Sequence, residues 1–289
     1  MPTNKAAWMK QKQAHPFALD EAPMPVPGPN QVVVRAHAIA INPCDWVIQT
    51  HGVLLDNYPR ILGEDVSGTI ASIGSQVKDF SVGDNVLGCI DVTQSDSTQG
   101  TFQLYSAVNT GMLAKIPSNT TYTQASVLPL ALSTAAASLY GSNAMALPMP
   151  SLQPQSNGKV LLIWAASTVV GSCAIQLAQA SGYKVFATCS AKNKEHCRSL
   201  GATQVFDHHA ESVVEDVATA LRGKNVEGGF CAHVDTTALM KCARAISAVG
   251  AKKVGTVLPP TWPLPEDLPA GLAVTYGKSF FRFSWLSKH

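Results

Sequence analysis

The chain has 289 residues, 46% of them hydrophobic and 14% charged, with a formal net charge of +2. That composition describes a globular chain with apolar residues to spare for a core and excludes a disordered or fibrous one, and the near-balanced charge offers no broad electrostatic footprint for nucleic acid or an acidic membrane surface. The expected partner is a small molecule.

Met1-Pro2-Thr3-Asn4-Lys5 leads into polar residues through His15 with no apolar signal region, and no later apolar run is long enough to span a bilayer, so the sequence predicts a cytoplasmic protein. The seven cysteines are odd in number, widely spaced and without a C-x-x-C pair. They fit reduced thiols better than a disulfide framework or a structural zinc knuckle.

Up to about residue 125 the chain alternates short β-prone runs with glycine and proline; Val32–Ile39 and Val66–Ala71 are the clearest strands. This half predicts a mostly β domain. From Leu128 to Leu147 the sequence turns alanine-rich and helix-permissive, and Pro148–Gly158 reads as a connection.

From Lys159 strands and helices alternate. Strands are predicted at Val160–Trp164, Val185–Cys189, Gln204–Phe206, Phe230–Asp235 and Lys253–Leu258, and helices at Ser172–Ser181, Lys194–Leu200, Ser212–Leu221 and Leu239–Val249. Hydrophobic strands alternating with helices imply a parallel sheet covered on both faces.

Between the first of these strands and its helix lies Ala165-Ala166-Ser167-Thr168-Val169-Val170-Gly171. A strand, a tight turn of small residues and a helix start bring backbone N–H groups and a positive helix end to one place, where a pyrophosphate can sit. Against G-x-G-x-x-G only the last glycine, Gly171, survives, so the stretch also fits a generic strand-to-helix turn. The second strand runs into Ser190, where a site preferring NAD would offer Asp or Glu to the ribose 2′-hydroxyl. Ser190, Lys192, Asn193 and Lys194 offer instead a hydroxyl, an amide and two cations suited to a 2′-phosphate, which favours NADP(H). Alternatively Lys192, Lys194 and Arg198 form the solvated face of the next helix.

Four motifs in order, Asn42-Pro43-Cys44-Asp45-Trp46, Gly63-Glu64-Asp65-Val66-Ser67-Gly68, Val82-Gly83-Asp84-Asn85-Val86 and Leu128-Pro129-Leu130-Ala131-Leu132-Ser133-Thr134-Ala135, resemble the medium-chain dehydrogenase/reductase superfamily. More narrowly, the chain resembles its zinc-free quinone-oxidoreductase and fungal trans-acting enoyl-reductase branch. The resemblance extends through Ser199-Leu200-Gly201-Ala202 and Val205-Phe206-Asp207 to about residue 277. It implies an α/β fold: a GroES-like, mostly β catalytic and substrate domain over residues 1–125, then a doubly wound Rossmann sheet binding NADP over 126–277.

Alcohol dehydrogenases of the superfamily hold catalytic zinc with a cysteine and a histidine, where this chain has Asn42 and Glu64, so no metal site is expected. The resemblance places Cys44, Asp45, Trp46, Val47 and Thr134 beside the nicotinamide, and Val257 and Leu258 against its amide. It places Ala166–Gly171, namely Ala166, Ser167, Thr168, Val169, Val170 and Gly171, around the pyrophosphate. Ser190–Lys194 fall at the 2′-phosphate, and His208 stands where many relatives carry a tyrosine against the adenosine phosphate. Asn42, Tyr58 and Thr134 are the candidate donors to a developing enolate. The implied activity is NADPH-dependent reduction of an enoyl thioester, enone or quinone, in polyketide metabolism, by a monomer or homodimer acting on a small-molecule substrate, free or carried on a polyketide synthase.

Residues 278–289 carry four large aromatic and four basic side chains and depart from the family pattern. The expectation is a C-terminally truncated second domain with an atypical tail. That leaves open a catalytically weak NADPH-binding partner protein and, less in keeping with Asn42 and Glu64, a zinc alcohol dehydrogenase.

Overall fold

The computed structural model describes residues 3–93, 95–260 and 262–277. By their internal contacts they fall into two units, one ending at Leu130 and the other beginning at Ala131. The tail from residue 278 lies outside the described residues.

In the first unit the β-prone runs become β1 (Asn4–Met9), β2 (Ala18–Ala22), β3 (Gln31–Ala40), helix α1 (Pro43–His51), β4 (Arg60–Ile61), β5 (Asp65–Ile73), β6 (Asn85–Cys89), β7 (Tyr105–Asn109), β8 (Leu113–Lys115) and helix α2 (Tyr122–Ser126). They pair antiparallel into a three-stranded sheet, β2-β1-β4, and a five-stranded sheet, β7-β3-β5-β6-β8. One apolar cluster gathers Met9, Ile48, Ile61, Leu62 and Val92, and another Val32, Val34, Val66, Ile70, Val86 and Val108. The strand spacing of two puts Val32 and Val34 on the same buried face. The register of β3 against β5 runs from Val32 opposite Ile73 to Ala40 opposite Asp65. It therefore delivers Asp65 to the strand end from which Asn42 and α1 begin.

Helix α3 (Pro129–Tyr140) leads into the second unit. There β9 (Lys159–Trp164), α4 (Val169–Ala180), β10 (Lys184–Cys189), α5 (Lys194–Ser199), β11 (Ala202–Asp207), α6 (Val213–Leu221), β12 (Asn225–Cys231), α7 (Thr236–Ser247), β13 (Lys253–Thr256) and β14 (Ala273–Tyr276) follow in turn. The six strands are all parallel, in the order β11-β10-β9-β12-β13-β14, the doubly wound arrangement. Leu161 and Ile163 of β9 pack in the cluster containing α4 residues Ala174 and Ile175, whereas Val160, Leu162 and Trp164 pack with α6 and α7 residues such as Val217 and Ile246. Both faces of the sheet are thus covered, which is why its strands read as continuous hydrophobic runs.

Several expected boundaries move, and one strand is added. Helix α4 starts at Val169 rather than Ser172, because Thr168 is its N-cap and its Oγ1 accepts the Gly171 N–H at 3.0 Å. Strand β12 spans Asn225–Cys231 rather than Phe230–Asp235 and runs through Gly228 and Gly229. A Cβ on Gly229 would lie 2.8 Å from Cys242 Sγ, so this glycine admits the close approach of α7, and a Cβ on Gly228 would lie 2.4 Å from the Lys253 carbonyl oxygen at the start of β13. Asp235 instead caps α7, accepting from the N–H groups of Thr237 and Ala238. Strand β14 had no counterpart among the predicted elements; it pairs with β13 from Ala273 opposite Lys253 to Tyr276 opposite Thr256.

Gly171 fixes how closely α4 lies against the end of β9. Alanine there would gain about 1 kcal/mol of helix propensity. Its Cβ, however, would stand 2.5 Å from the Ala165 carbonyl oxygen and 2.7 Å from Ala166 Cα, both backbone atoms. Overpacking of that kind costs about 1–3 kcal/mol. Gly171→Ala is therefore expected to lower the melting temperature in scanning calorimetry; an unchanged or raised value would show that α4 can draw back.

Candidate functional site

At the end of β3, Asn42 is the N-cap of α1 and Asp45 occupies the third helical position. Asp45 Oδ2 accepts the Asn42 backbone N–H at 2.8 Å and Oδ1 accepts the Gly63 N–H at 3.1 Å. The Asn42 side chain donates through Nδ2 to Asp65 Oδ2 at 3.0 Å, and Asp65 Oδ1 accepts the Leu130 N–H at 2.8 Å. The Cys44 thiol donates to Glu64 Oε2. Asp45, Glu64 and Asp65 are 3%, 1% and 0% exposed, so three acids are taken out of water side by side.

Burial dominates their titration. It raises Asp45 and Asp65 to about 6 and Glu64 to about 8, the backbone and side-chain donors opposing the shift and the neighbouring carboxylates adding to it. Burial, followed by the charges of Glu64 and Asp45, pushes the Cys44 thiol far up, so it serves as a donor rather than a thiolate. Tyr58 donates its hydroxyl to the Leu55 carbonyl at 3.1 Å, and burial raises its phenol further, keeping it protonated. Trp46 is 56% exposed and meets the edge of His51 at 5.4 Å, while Val47 is half-buried.

In the second unit, Ala165 turns the chain out of β9 at φ 58°, and Ala166 returns its N–H to the Thr188 carbonyl at 2.8 Å. Thr168 Oγ1 donates to the Ala165 carbonyl at 2.9 Å while receiving Gly171, which locks the turn. Val169 and Val170 are the first two residues of α4, so their N–H groups have no acceptor within the helix. Ser167 is half-buried on the same turn.

Beyond β10, Ser190 caps a short 3₁₀ turn over 191–193, and Asn193 Nδ2 donates to Ser190 Oγ at 3.1 Å. Arg198 is paired with Glu195, but Lys192 and Lys194 form no salt bridge among the described residues. His208 follows β11, its ring tilted 45° to that of His209 at 4.0 Å, and its buried Nδ1 has no hydrogen-bond partner among the described residues. Burial, then His209, lowers its pKa. Thr134 lies half-buried on α3. Val257 and Leu258 follow β13, with their N–H groups donated to Cys231 O at 3.4 Å and Thr256 Oγ1 at 3.1 Å.

Among the described residues no three His, Cys, Asp or Glu side chains are grouped to hold a metal ion. All seven cysteines are free thiols, and no described helix is long and apolar enough to cross a membrane.

The chain matches the alcohol dehydrogenase GroES-like domain family over residues 28–118 and the zinc-binding dehydrogenase family over residues 169–256. It is 38% identical to a protein named dehydrogenase pigH from Monascus ruber, over 99% of this chain and 78% of that one. It is 40% identical to a protein named trans-enoyl reductase himH from Aspergillus japonicus, over 92% and 77% of the two chains. Among solved structures, an alcohol dehydrogenase superfamily protein from Novosphingobium aromaticivorans is similar with a TM-score of 0.74 and 31% identity, over 95% of this chain and 78% of that one. The chain belongs to the medium-chain dehydrogenase/reductase superfamily and is an oxidoreductase built from a GroES-like β unit and a Rossmann-type sheet.

Asp65 and Glu64 are absent from the residues expected to act in the sequence, and Cys44, placed there beside the nicotinamide, was not paired with Glu64. The available signal was chemical: an acid opening a strand that carries the core residues Val66 and Ile70 must find donors.

Because Glu64 is raised in the folded state, its contribution to stability is complete below the ordinary glutamate range and is lost as pH rises through about 8. Glu64→Gln removes that ionisation while keeping an acceptor for Cys44. Calorimetry should show the variant melting several degrees above the parent at about pH 8.5, with the gap closing toward pH 5; a gap that widens on acidification would refute the assignment.

Proposed function

We propose that the protein is an NADPH-dependent reductase of an activated alkene, either an enoyl thioester or an enone, or of a quinone, and that it works without zinc. The observation that carries this reading is the donor set at the superfamily's zinc positions: Asn42 is an amide already committed to Asp65, and Glu64 a carboxyl already bonded to Cys44. Neither offers the thiolate or imidazole that tetrahedral zinc takes in these enzymes. NADPH, when bound, supplies hydride to the β-carbon of the alkene or to the quinone.

The residues of the second unit fit a dinucleotide. Gly171 leaves a cradle that a Cβ would fill, and His208 Nδ1 is a buried polar atom wanting a partner. In this reading Ala166, Ser167, Thr168, Val169, Val170 and Gly171 hold the pyrophosphate and His208 the adenosine phosphate. Ser190, Lys192, Asn193 and Lys194 hold the 2′-phosphate, supported by two lysines without carboxylate partners and by a strand end without an acid. Cys44, Asp45, Trp46, Val47 and Thr134 border the nicotinamide. Val257 and Leu258 meet its amide through their carbonyls, since their N–H groups are occupied.

Asn42 and Thr134 offer hydrogen bonds to the oxygen on which enolate charge develops; Tyr58 joins them only by releasing the Leu55 carbonyl, and Tyr58 or water returns the proton. The name of the Aspergillus japonicus relative supports an enoyl substrate; that a polyketide synthase carries it, in secondary metabolism, is what the resemblance to trans-acting enoyl reductases implies. The free thiols suit a reducing cytoplasm.

Calorimetric titration tests the cofactor. Lys194→Ala should weaken NADPH about 10- to 100-fold, the worth of one charge-assisted hydrogen bond, and leave NADH nearly unchanged. Wild-type protein that binds NADH as tightly as NADPH, or that fails to oxidise NADPH with crotonyl-N-acetylcysteamine thioester or 9,10-phenanthrenequinone, overturns the reading.

A further inference from the structure

We infer that Asp65 is a positioning residue of the reductase site: one buried carboxylate sets the orientation of the Asn42 amide with one oxygen while the other holds the Leu130 N–H. The role rests on the reduction proposed above, in which Asn42 offers a hydrogen bond to the substrate.

Asp65 is fully buried, and each of its oxygens takes one N–H: Asn42 Nδ2 at 3.0 Å and Leu130 N at 2.8 Å. A carboxylate can only accept, so Asn42 must turn its amino group toward it. The amide orientation, ordinarily ambiguous, is thereby fixed by chemistry. What Asn42 retains for other partners is its carbonyl oxygen and the second hydrogen of Nδ2.

The other bond acts on a helix. Leu130 is the second residue of α3, and its N–H is one of those that no intrahelical carbonyl can reach. Asp65 therefore caps α3 from a strand, in the manner of an N-cap aspartate but at a sequence distance of 65 residues. Asp45 and Glu64 are the charged groups facing Asp65, and both are held by donors of their own.

Exchanging donor and acceptor separates positioning from support. In Asp65→Asn the new amide can serve Leu130 or Asn42 as before, but not both. In Asn42→Asp combined with Asp65→Asn, residue 65 accepts from Leu130 and donates to residue 42, so every hydrogen bond returns while residue 42 has no N–H left to offer. Calorimetric melting, NADPH titration and steady-state rates with crotonyl-N-acetylcysteamine thioester report on the three variants: Asp65→Asn, Asn42→Ala and the exchange.

Asp65→Asn should lower kcat by about 100-fold, the scale of one lost transition-state donor, with KM and the NADPH dissociation constant altered less than about threefold. The exchanged pair should regain the wild-type melting temperature without regaining kcat. Recovery of kcat by the exchanged pair, or a wild-type kcat in Asp65→Asn, overturns the role while leaving the reduction standing. Absence of turnover in the wild type overturns the reduction and the role with it. Should Asp65→Asn fail to fold, the exchanged pair alone decides.

Discussion

Three carboxyl groups buried within a few residues of one another set the terms for the first unit. Taking a charge out of water costs several kcal/mol unless hydrogen bonds compensate. Here the compensation comes from backbone: Asn42 and Gly63 serve Asp45, and Leu130 joins the Asn42 side chain in serving Asp65. Each bond ties a different element, so the end of β3, the start of α1, the turn before β5 and the first turn of α3 are located by acids rather than by apolar packing. Glu64 lacks such donors and has only a thiol, which is why it is raised furthest of the three.

Gly63 shows how little slack the arrangement has. Its φ of +94° is open to glycine, and a Cβ there would stand 2.2 Å from the Phe102 ring. The glycine brings its N–H to Asp45 while the ring of Phe102 closes over the other side. In the second unit a similar closeness is obtained at Gly171, where the strand-to-helix turn has no room for a side chain. There the left-handed residue is Ala165, not a glycine, so the turn carries a strain of roughly 1–2 kcal/mol that Thr168 holds in place by bonding to its carbonyl.

How far the sequence could be read follows from the range of the interactions involved. The second unit was legible because each parallel strand is a local apolar run, and each helix a local periodicity; the strand order then follows from the doubly wound pattern. The glycines of β12 hid the first half of the strand because Gly228-Gly229 has the composition of a turn, and only distant neighbours, the Lys253 backbone for Gly228 and Cys242 for Gly229, explain them. Strand β14 is short and only partly buried, with too little periodicity to register. In the first unit the valine runs marked β3 and β5, but neither their register nor the antiparallel partners of β1 can be inferred from neighbours in sequence. Asn42 and Asp45 stood out within a motif; their dependence on Gly63, Asp65 and Leu130 is a matter of tertiary contact.

The exit of β10 is where local reading and tertiary structure bear on cofactor choice together. Cys189 is in register with Asp207 of β11, so an acid does lie one strand away from the position where a ribose-binding carboxylate would be sought. Its Oδ1 is turned to the His209 N–H at 3.0 Å, within its own turn. Arg198, a second cation of α5, is drawn to Glu195 on the same helix. These pairings give Asp207 and Arg198 partners of their own without cancelling their charge, whereas Lys192 and Lys194 have no salt bridge among the described residues. Under the proposed reading, a diol there would find a serine hydroxyl and an amide already bonded to each other, and a phosphate would find two lysines. A preference for a phosphorylated ribose would then depend on how the neighbouring charges are paired as much as on the acid that β10 lacks.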